Sequence, residues 1–233
     1  MRVVALVPAY EASRTVGAVV RALREAWRAA GLGDEVIVID DGSRDHTGAA
    51  AGEAGAHLIR HPKNLGKGAA LRSGLEYLAK LGVDAAISVD ADGQHPAEEA
   101  AKLAEHPAPA NALVLGVRDL ERDGAPRANQ VSNAISNFFL SRFSGARLLD
   151  TQCGLRRYPV RATLGLGIGA DGYAFEAEAV LRAVRAGWPV EQVPVRVVYP
   201  PADERVTHFH VVRDPARIVV RVLSTLLSPR GSA

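Results

Sequence analysis

A single cysteine, Cys153, stands among 233 residues. No disulfide can form within the chain, and such a sequence fits a reducing, cytoplasmic setting. No apolar run approaches the roughly 20 residues that a membrane-spanning helix needs. The opening Met1-Arg2-Val3-Val4-Ala5-Leu6-Val7-Pro8 is interrupted too soon for a signal peptide. The expectation is a cytoplasmic protein, soluble or at most peripheral on the cytoplasmic face of a membrane. Aromatic residues make up only 5% and the net charge is +2. No basic stripe interleaved with aromatics is present, which argues against nucleic acid as a partner. The first turn, Pro8-Ala9-Tyr10-Glu11-Ala12-Ser13, has neither G-x-G-x-x-G nor G-x-x-x-x-G-K-[ST]. That disfavours a dehydrogenase or an ATPase. There is no internal repeat, low-complexity tract or dividing linker, and the length suits one α/β domain.

The charge that is present is unevenly placed. Residues 1–117 carry 12 basic and 15 acidic side chains, and residues 118–233 carry 16 and 11. A basic second half suits an anionic partner such as phosphate or a membrane surface. Apolar runs at 2–7, 35–39, 56–59, 85–89 and 112–117 alternate with helix-period segments near 14–30, 46–54, 67–81 and 96–104. This is the pattern of β-α units on a mostly parallel sheet, with ligands at the carboxyl ends of the strands. Ser13 or Thr15 is placed to cap the first helix, Gly31 to end it, and Pro96 to start the fourth. Residues 118–130 read as a charged loop, followed by a helix near 131–144. An irregular stretch from Leu148 to Pro159 comes next, then a helix near 174–187 and a strand over 190–197. A polar loop runs to about Arg213. The expected organisation is one domain over 1–213, with an amphipathic helix and tail over 214–233.

Polar groups gather where the strands end. Asp90 and Asp92 lie one residue apart after Ala85-Ala86-Ile87-Ser88-Val89, so they share a side at the sheet rim. Paired hard oxygen donors there suit Mg²⁺ or Mn²⁺ carrying phosphate, which points to chemistry on a nucleoside diphosphate. Tyr10 and Glu11 suit a base or ribose edge. Asp40-Asp41-Gly42-Ser43 offers a carboxylate to a base or ribose hydroxyl, and equally suits a turn with a helix cap. Asn64-Leu65-Gly66-Lys67-Gly68 opens a helix with backbone N–H groups and Lys67, and equally suits an ordinary glycine-containing connection.

Taken together and in this order, the motifs resemble those of the family-2 inverting glycosyltransferases of GT-A fold, over residues 2–210. Asp92-Gly93-Gln94-His95-Pro96 and Gly116-Val117-Arg118 resemble the branch that makes polyprenyl-phosphate sugars. The resemblance implies an α/β fold with a mostly parallel central sheet. It implies nucleotide binding by Pro8, Ala9, Tyr10, Glu11, Asp40, Asp41, Lys67, Asp90 and Ala91, and metal binding by Asp90, Asp92 and Gln94. Arg118 and Arg127 would meet a lipid phosphate. Asp150 and Gln152 would face the sugar and acceptor, and Arg205 or His208 would close over the diphosphate.

The implied reaction moves a hexose, with inversion, from a GDP- or UDP-sugar to a polyprenyl phosphate. A phosphate monoester is already largely ionised at neutral pH, its second pKa being about 6, and needs little help from a base. A sugar-hydroxyl acceptor would need a carboxylate base, for which Asp150 is the candidate. A non-catalytic nucleotide-sugar binding module is the remaining alternative. Cys153 reads as a buried small residue. Of Glu176 and Glu178, two apart on a helix, one is expected near the site and the other in solvent. The 214–228 helix is left between packing on its own core and lying on a membrane. The oligomeric state is not legible.

Overall fold

The computed structural model describes residues 1–199. The expected loop around Arg205 and His208 and the 214–228 helix therefore lie outside the described residues. Strand β1 (Val3–Ala9) is buried along its whole length, and its alternate side chains feed two cores. Val3, Ala5 and Val7 pack on one face with α1 (Val16–Ala29) and α4 (Ala97–Glu105). Val4 and Leu6 pack on the other face with α3 (Lys67–Lys80) and α7 (Ala174–Arg185). A sheet covered on both faces explains why its strands read as continuous apolar runs rather than alternating ones.

The remaining elements are β2 (Val36–Asp40), α2 (Thr47–Glu53), β3 (His57–Arg60), β4 (Ala85–Ser88), β5 (Leu113–Arg118), α5 (Arg127–Ser144), β6 (Arg156–Pro159), α6 (Val160–Gly165) and β7 (Val190–Val195). The sheet runs β3-β2-β1-β4-β6-β5-β7. All its pairings are parallel except those of β6, which is antiparallel to both β4 and β5. The chain winds outward from β1 to β3 and then returns to place β4 on the other side of β1. The crevice at the carboxyl ends of β1 and β4 is the switch point where such sheets take their ligands.

Sequence and structure differ locally. The stretch read as irregular contains β6, hidden by the pair Arg156-Arg157, and the short α6 follows it. Helix α5 starts at Arg127, inside the segment read as a loop. Thr15 does occupy the position before α1, but its hydroxyl donates to the Ala12 carbonyl (3.3 Å) and caps no helix N–H. In α1 the buried Val16, Val19, Val20, Leu23 and Trp27 follow the helical period, and the Trp27 indole N–H reaches the Val3 carbonyl at 3.2 Å. No helix among the described residues is long and apolar enough to cross a membrane.

Candidate active site

Just past the end of β4, Asp90 and Asp92 turn toward the crevice. Gly154 makes room for them: a Cβ added there would lie 2.1 Å from Asp90 Oδ2. Asp90 Oδ1 is 2.5 Å from Lys67 Nζ, which also lies 3.1 Å from Glu176 Oε1. The Tyr173 ring sits 5.7 Å from the same ammonium. Burial alone would raise the Asp90 carboxyl, but the positive charge and hydrogen bond of Lys67, with the charge of Arg118, outweigh it and hold Asp90 low. Asp92 differs. Burial first, then the neighbouring Asp90 charge, pushes it up to about 6. Asp92 Oδ1 accepts the Gln94 N–H at 2.9 Å. The Gln94 carbonyl in turn accepts the Val198 N–H at 2.8 Å, tying the acidic turn to the chain beyond β7. Burial draws His95 down to about 4, so its ring is neutral at pH 7.

The loop before α3 is held by Asp41. Its Oδ1 accepts the Leu65 N–H (2.9 Å) and contacts His61 Nδ1 (2.7 Å), and its Oδ2 accepts the Gly66 N–H (2.7 Å). Asp41 is thus buried as the organiser of the loop that delivers Lys67. Gly42 permits this. Its φ is +73°, and a Cβ there would lie 2.3 Å from the Lys63 carbonyl carbon. Asp40 is fully buried; Oδ1 accepts the Ser43 N–H (2.9 Å) and Oδ2 lies 3.4 Å from Arg60 Nε. Both acids serve the turn. Pro8 and Ala9 end β1 inside the core. Glu11, at φ +47°, is the one non-glycine residue with positive φ among the described residues, and its N–H donates to Ser43 Oγ at 3.0 Å. Backbone strain of this kind gathers at ligand sites.

On the other side, Arg118 ends β5 and meets Asp150 in a fork: Nε to Oδ2 at 2.7 Å and Nη2 to Oδ1 at 3.0 Å. Asp150 also accepts the N–H groups of Arg118, Gln152 and Cys153. Asp150 is fully buried, with both oxygens engaged by Arg118 and backbone N–H groups. The Arg118 charge acts on both Asp90 and Asp92, so the three share one site. Asn133, Leu149 and Pro194 join Arg118 in lining a cavity of about 400 Å³. Gln152 Nε2 donates to Ser132 Oγ at 3.0 Å, and Arg127 is exposed at the start of α5. Cys153 is buried, and burial pushes its thiol up to about 12, so it is not a nucleophile at neutral pH.

Arg156, a residue with no role assigned from sequence, supports this floor. Arg156, fully buried, donates to the carbonyls of Cys153 (2.8 Å), Thr151 (2.7 Å) and Glu176 (2.7 Å). It locks the turn under Asp90 to the first turn of α7. Of the pair Glu176 and Glu178, one is expected in solvent, but both are buried; Glu178 is paired with Arg182 at 2.7 Å and accepts the Ala170 N–H. Glu176 is the acid that reaches the site.

Among the described residues no group of three or more His, Cys, Asp or Glu side chains is arranged to hold a metal ion by itself. Mg²⁺ is commonly bound by one or two carboxylates with substrate phosphates completing its shell. Asp90 and Asp92 fit an ion that arrives with a diphosphate.

Residues 4–161 match the sequence profile described as Glycosyl transferase family 2. The chain is 26% identical over 209 residues to an undecaprenyl-phosphate mannosyltransferase of Micrococcus luteus, covering 85% of this chain and 84% of that protein. It is 27% identical over 217 residues to a UDP-N-acetylglucosamine–dolichyl-phosphate N-acetylglucosaminyltransferase of Methanococcus voltae, covering 83% and 84%. Its fold is similar to that of the glucosyl-3-phosphoglycerate synthase of Mycobacterium tuberculosis, crystallised with Mn²⁺, UDP and phosphoglyceric acid. The TM-score is 0.73 at 23% identity, over 97% of this chain and 79% of that one. The profile spans the first turn, the Lys67 loop, the acidic pair and the Arg118–Asp150 fork, and the chain therefore belongs to glycosyl transferase family 2 and is a glycosyltransferase.

Proposed function

We propose that the protein transfers a hexose from a nucleoside-diphosphate sugar to a polyprenyl phosphate, with inversion, and that it needs Mg²⁺ or Mn²⁺. The observation that carries this reading is that two acids and a guanidinium lie close enough for the Arg118 charge to act on both Asp90 and Asp92. The acidic pair Asp90 and Asp92 suits a metal-bound diphosphate, and the fixed guanidinium of Arg118 suits an acceptor phosphate. A divalent ion, when bound, would offset the negative charge that builds on the leaving diphosphate. Asp90 and Asp92 would hold it. Tyr10 and Glu11 would line the nucleotide side, the buried Pro8, Ala9 and Ala91 would back it, and Asp40 and Asp41 would fix its turns.

Arg118, kept in its fork by Asp150, would present its remaining N–H donor edge to the acceptor phosphate, with Arg127 beside it. The acceptor oxygen would attack the anomeric carbon from the face opposite the diphosphate. A phosphate nucleophile needs no strong base, which agrees with an Asp150 whose oxygens are already occupied and a neutral His95. Relatives named for undecaprenyl and dolichyl phosphate point the same way. Such an acceptor would bring the protein to the surface of a membrane, on its cytoplasmic face.

The test incubates the full chain with Mn²⁺ or Mg²⁺, GDP- and UDP-sugars, and a short polyprenyl phosphate. Lipid-dependent release of nucleoside diphosphate, lost in Asp92→Ala and on chelation, is the expected result. Release that ignores the lipid phosphate but responds to a sugar acceptor would overturn the acceptor.

A further inference from the structure

We propose that Lys67 holds Asp90 in the metal-free protein and that Glu176 is the alternative partner that lets it go, so that a divalent ion and a diphosphate enter together. The inference rests on the metal reading above and assigns Glu176 a positioning role.

Lys67 Nζ is shared unequally. It lies 2.5 Å from Asp90 Oδ1 and 3.1 Å from Glu176 Oε1, and its side chain is only 13% exposed. Glu176 Oε1 is buried and, despite that approach, makes no well-directed hydrogen bond. A buried carboxylate oxygen left in this condition is costly, and it is a ready acceptor for an ammonium released from Asp90. Charge favours the exchange once a divalent ion is bound. With the acids ionised, Asp90, Asp92 and Glu176 set three negative charges against the single Lys67 cation. With a divalent ion on Asp90 and Asp92, Lys67 and Glu176 remain as a neutral pair.

The elements permit the exchange. Lys67 is the first residue of α3, on the loop anchored by Asp41, and its ammonium carries three donors that can turn from a carboxylate to phosphate oxygens. Glu176 is fixed from behind, because its carbonyl is bound by Arg156. A free ion would have to displace Lys67 unaided, whereas a diphosphate gives Lys67 new acceptors as the ion takes Asp90.

The experiment measures Mn²⁺ binding to the full chain by electron paramagnetic resonance, alone and with UDP or GDP. Removing Lys67 by itself changes the local charge, so the decisive variant is the charge-balanced double substitution Lys67→Met with Glu176→Gln. It is expected to bind Mn²⁺ without nucleotide about tenfold more tightly than wild type and to lose most of the further tightening that nucleotide brings. Lys67→Met alone is expected to move in the same direction, and thermal melts establish that each variant is folded. A folded double variant with wild-type Mn²⁺ affinity and wild-type tightening would overturn the exchange while leaving the metal site standing. If Asp92→Ala bound Mn²⁺ with nucleotide as wild type does, the metal reading would fail and this inference with it.

Discussion

Arg118 is gripped by Asp150 through two hydrogen bonds, 2.7 Å from Nε and 3.0 Å from Nη2, and the acid has no exposed surface. Such a pair positions more than it stabilises, but breaking it from one side strands a buried charge. Asp150→Ala is expected to lower stability by roughly 3–5 kcal/mol in urea unfolding. Arg118→Lys keeps the charge and loses the fork. It is expected to reduce transfer on the order of 10²-fold with a smaller loss of stability than Asp150→Ala. If Arg118→Lys retained full activity, the guanidinium would not be orienting the acceptor.

Gly154→Ala tests the floor beneath Asp90. The new methyl would fall 2.1 Å from Oδ2, so the carboxylate has to move. We expect a folded protein whose metal-dependent activity is nearly abolished. Unchanged activity would mean that the position of Asp90 is not critical.

The acidic turn should also leave a mark on the pH dependence of stability in the absence of metal. Asp92 is raised to about 6, so its contribution is present below about pH 4 and is lost as pH rises through 6. His95 is lowered to about 4, so its contribution is present above about pH 6.5 and is lost as pH falls toward 4. Each shift is worth about 3 kcal/mol, and within pH 4–6.5 they oppose each other. Unfolding measured across this range in a chelator should show a shallow net slope from this turn. Asp92→Asn should steepen the loss on acidification and raise stability at pH 7.5, and His95→Gln should flatten or reverse it. Identical slopes in all three proteins would contradict the assignment.

Cys153 provides a check on the rigidity of the same floor. Its thiol is buried and raised to about 12. A thiol reagent at pH 7.5 is expected to label it only after denaturation, with transfer activity surviving the treatment. Rapid labelling of the native protein would show that the turn around Asp150 opens.

Most of the framework is legible in the chain because a sheet buried on both faces writes its strands as plain apolar runs. β1 to β5 fall within a residue or two of those runs. β6 is not legible, since Arg156 and Arg157 look like surface residues but are buried and donate to carbonyls of distant segments, among them Glu176 and His106. The acidic pair was readable from its spacing at a strand end. The separate tasks of Asp40 and Asp41 were not, because Asp41 is defined by its grip on Leu65 and Gly66, more than twenty residues away. Helical spacing correctly separates Glu176 from Glu178 but places one in solvent. Both are buried, each with its own cation, Lys67 and Arg182.

The reversal at β6 has a consequence for how such a protein can diversify. Because β6 runs against β4, the turn over residues 150–154 that precedes β6 lies at the carboxyl end of β4. On the function proposed above, residues 8–92 would form the donor wall and residues 118–154 the acceptor wall. Their shared seam is narrow, with Asp90 on one side and Gly154 on the other. Substitutions along α5 or the Leu149 cavity would then retune which phosphate is accepted while the nucleotide half keeps its shape. Inheritance can shuffle one wall of the crevice and conserve the other.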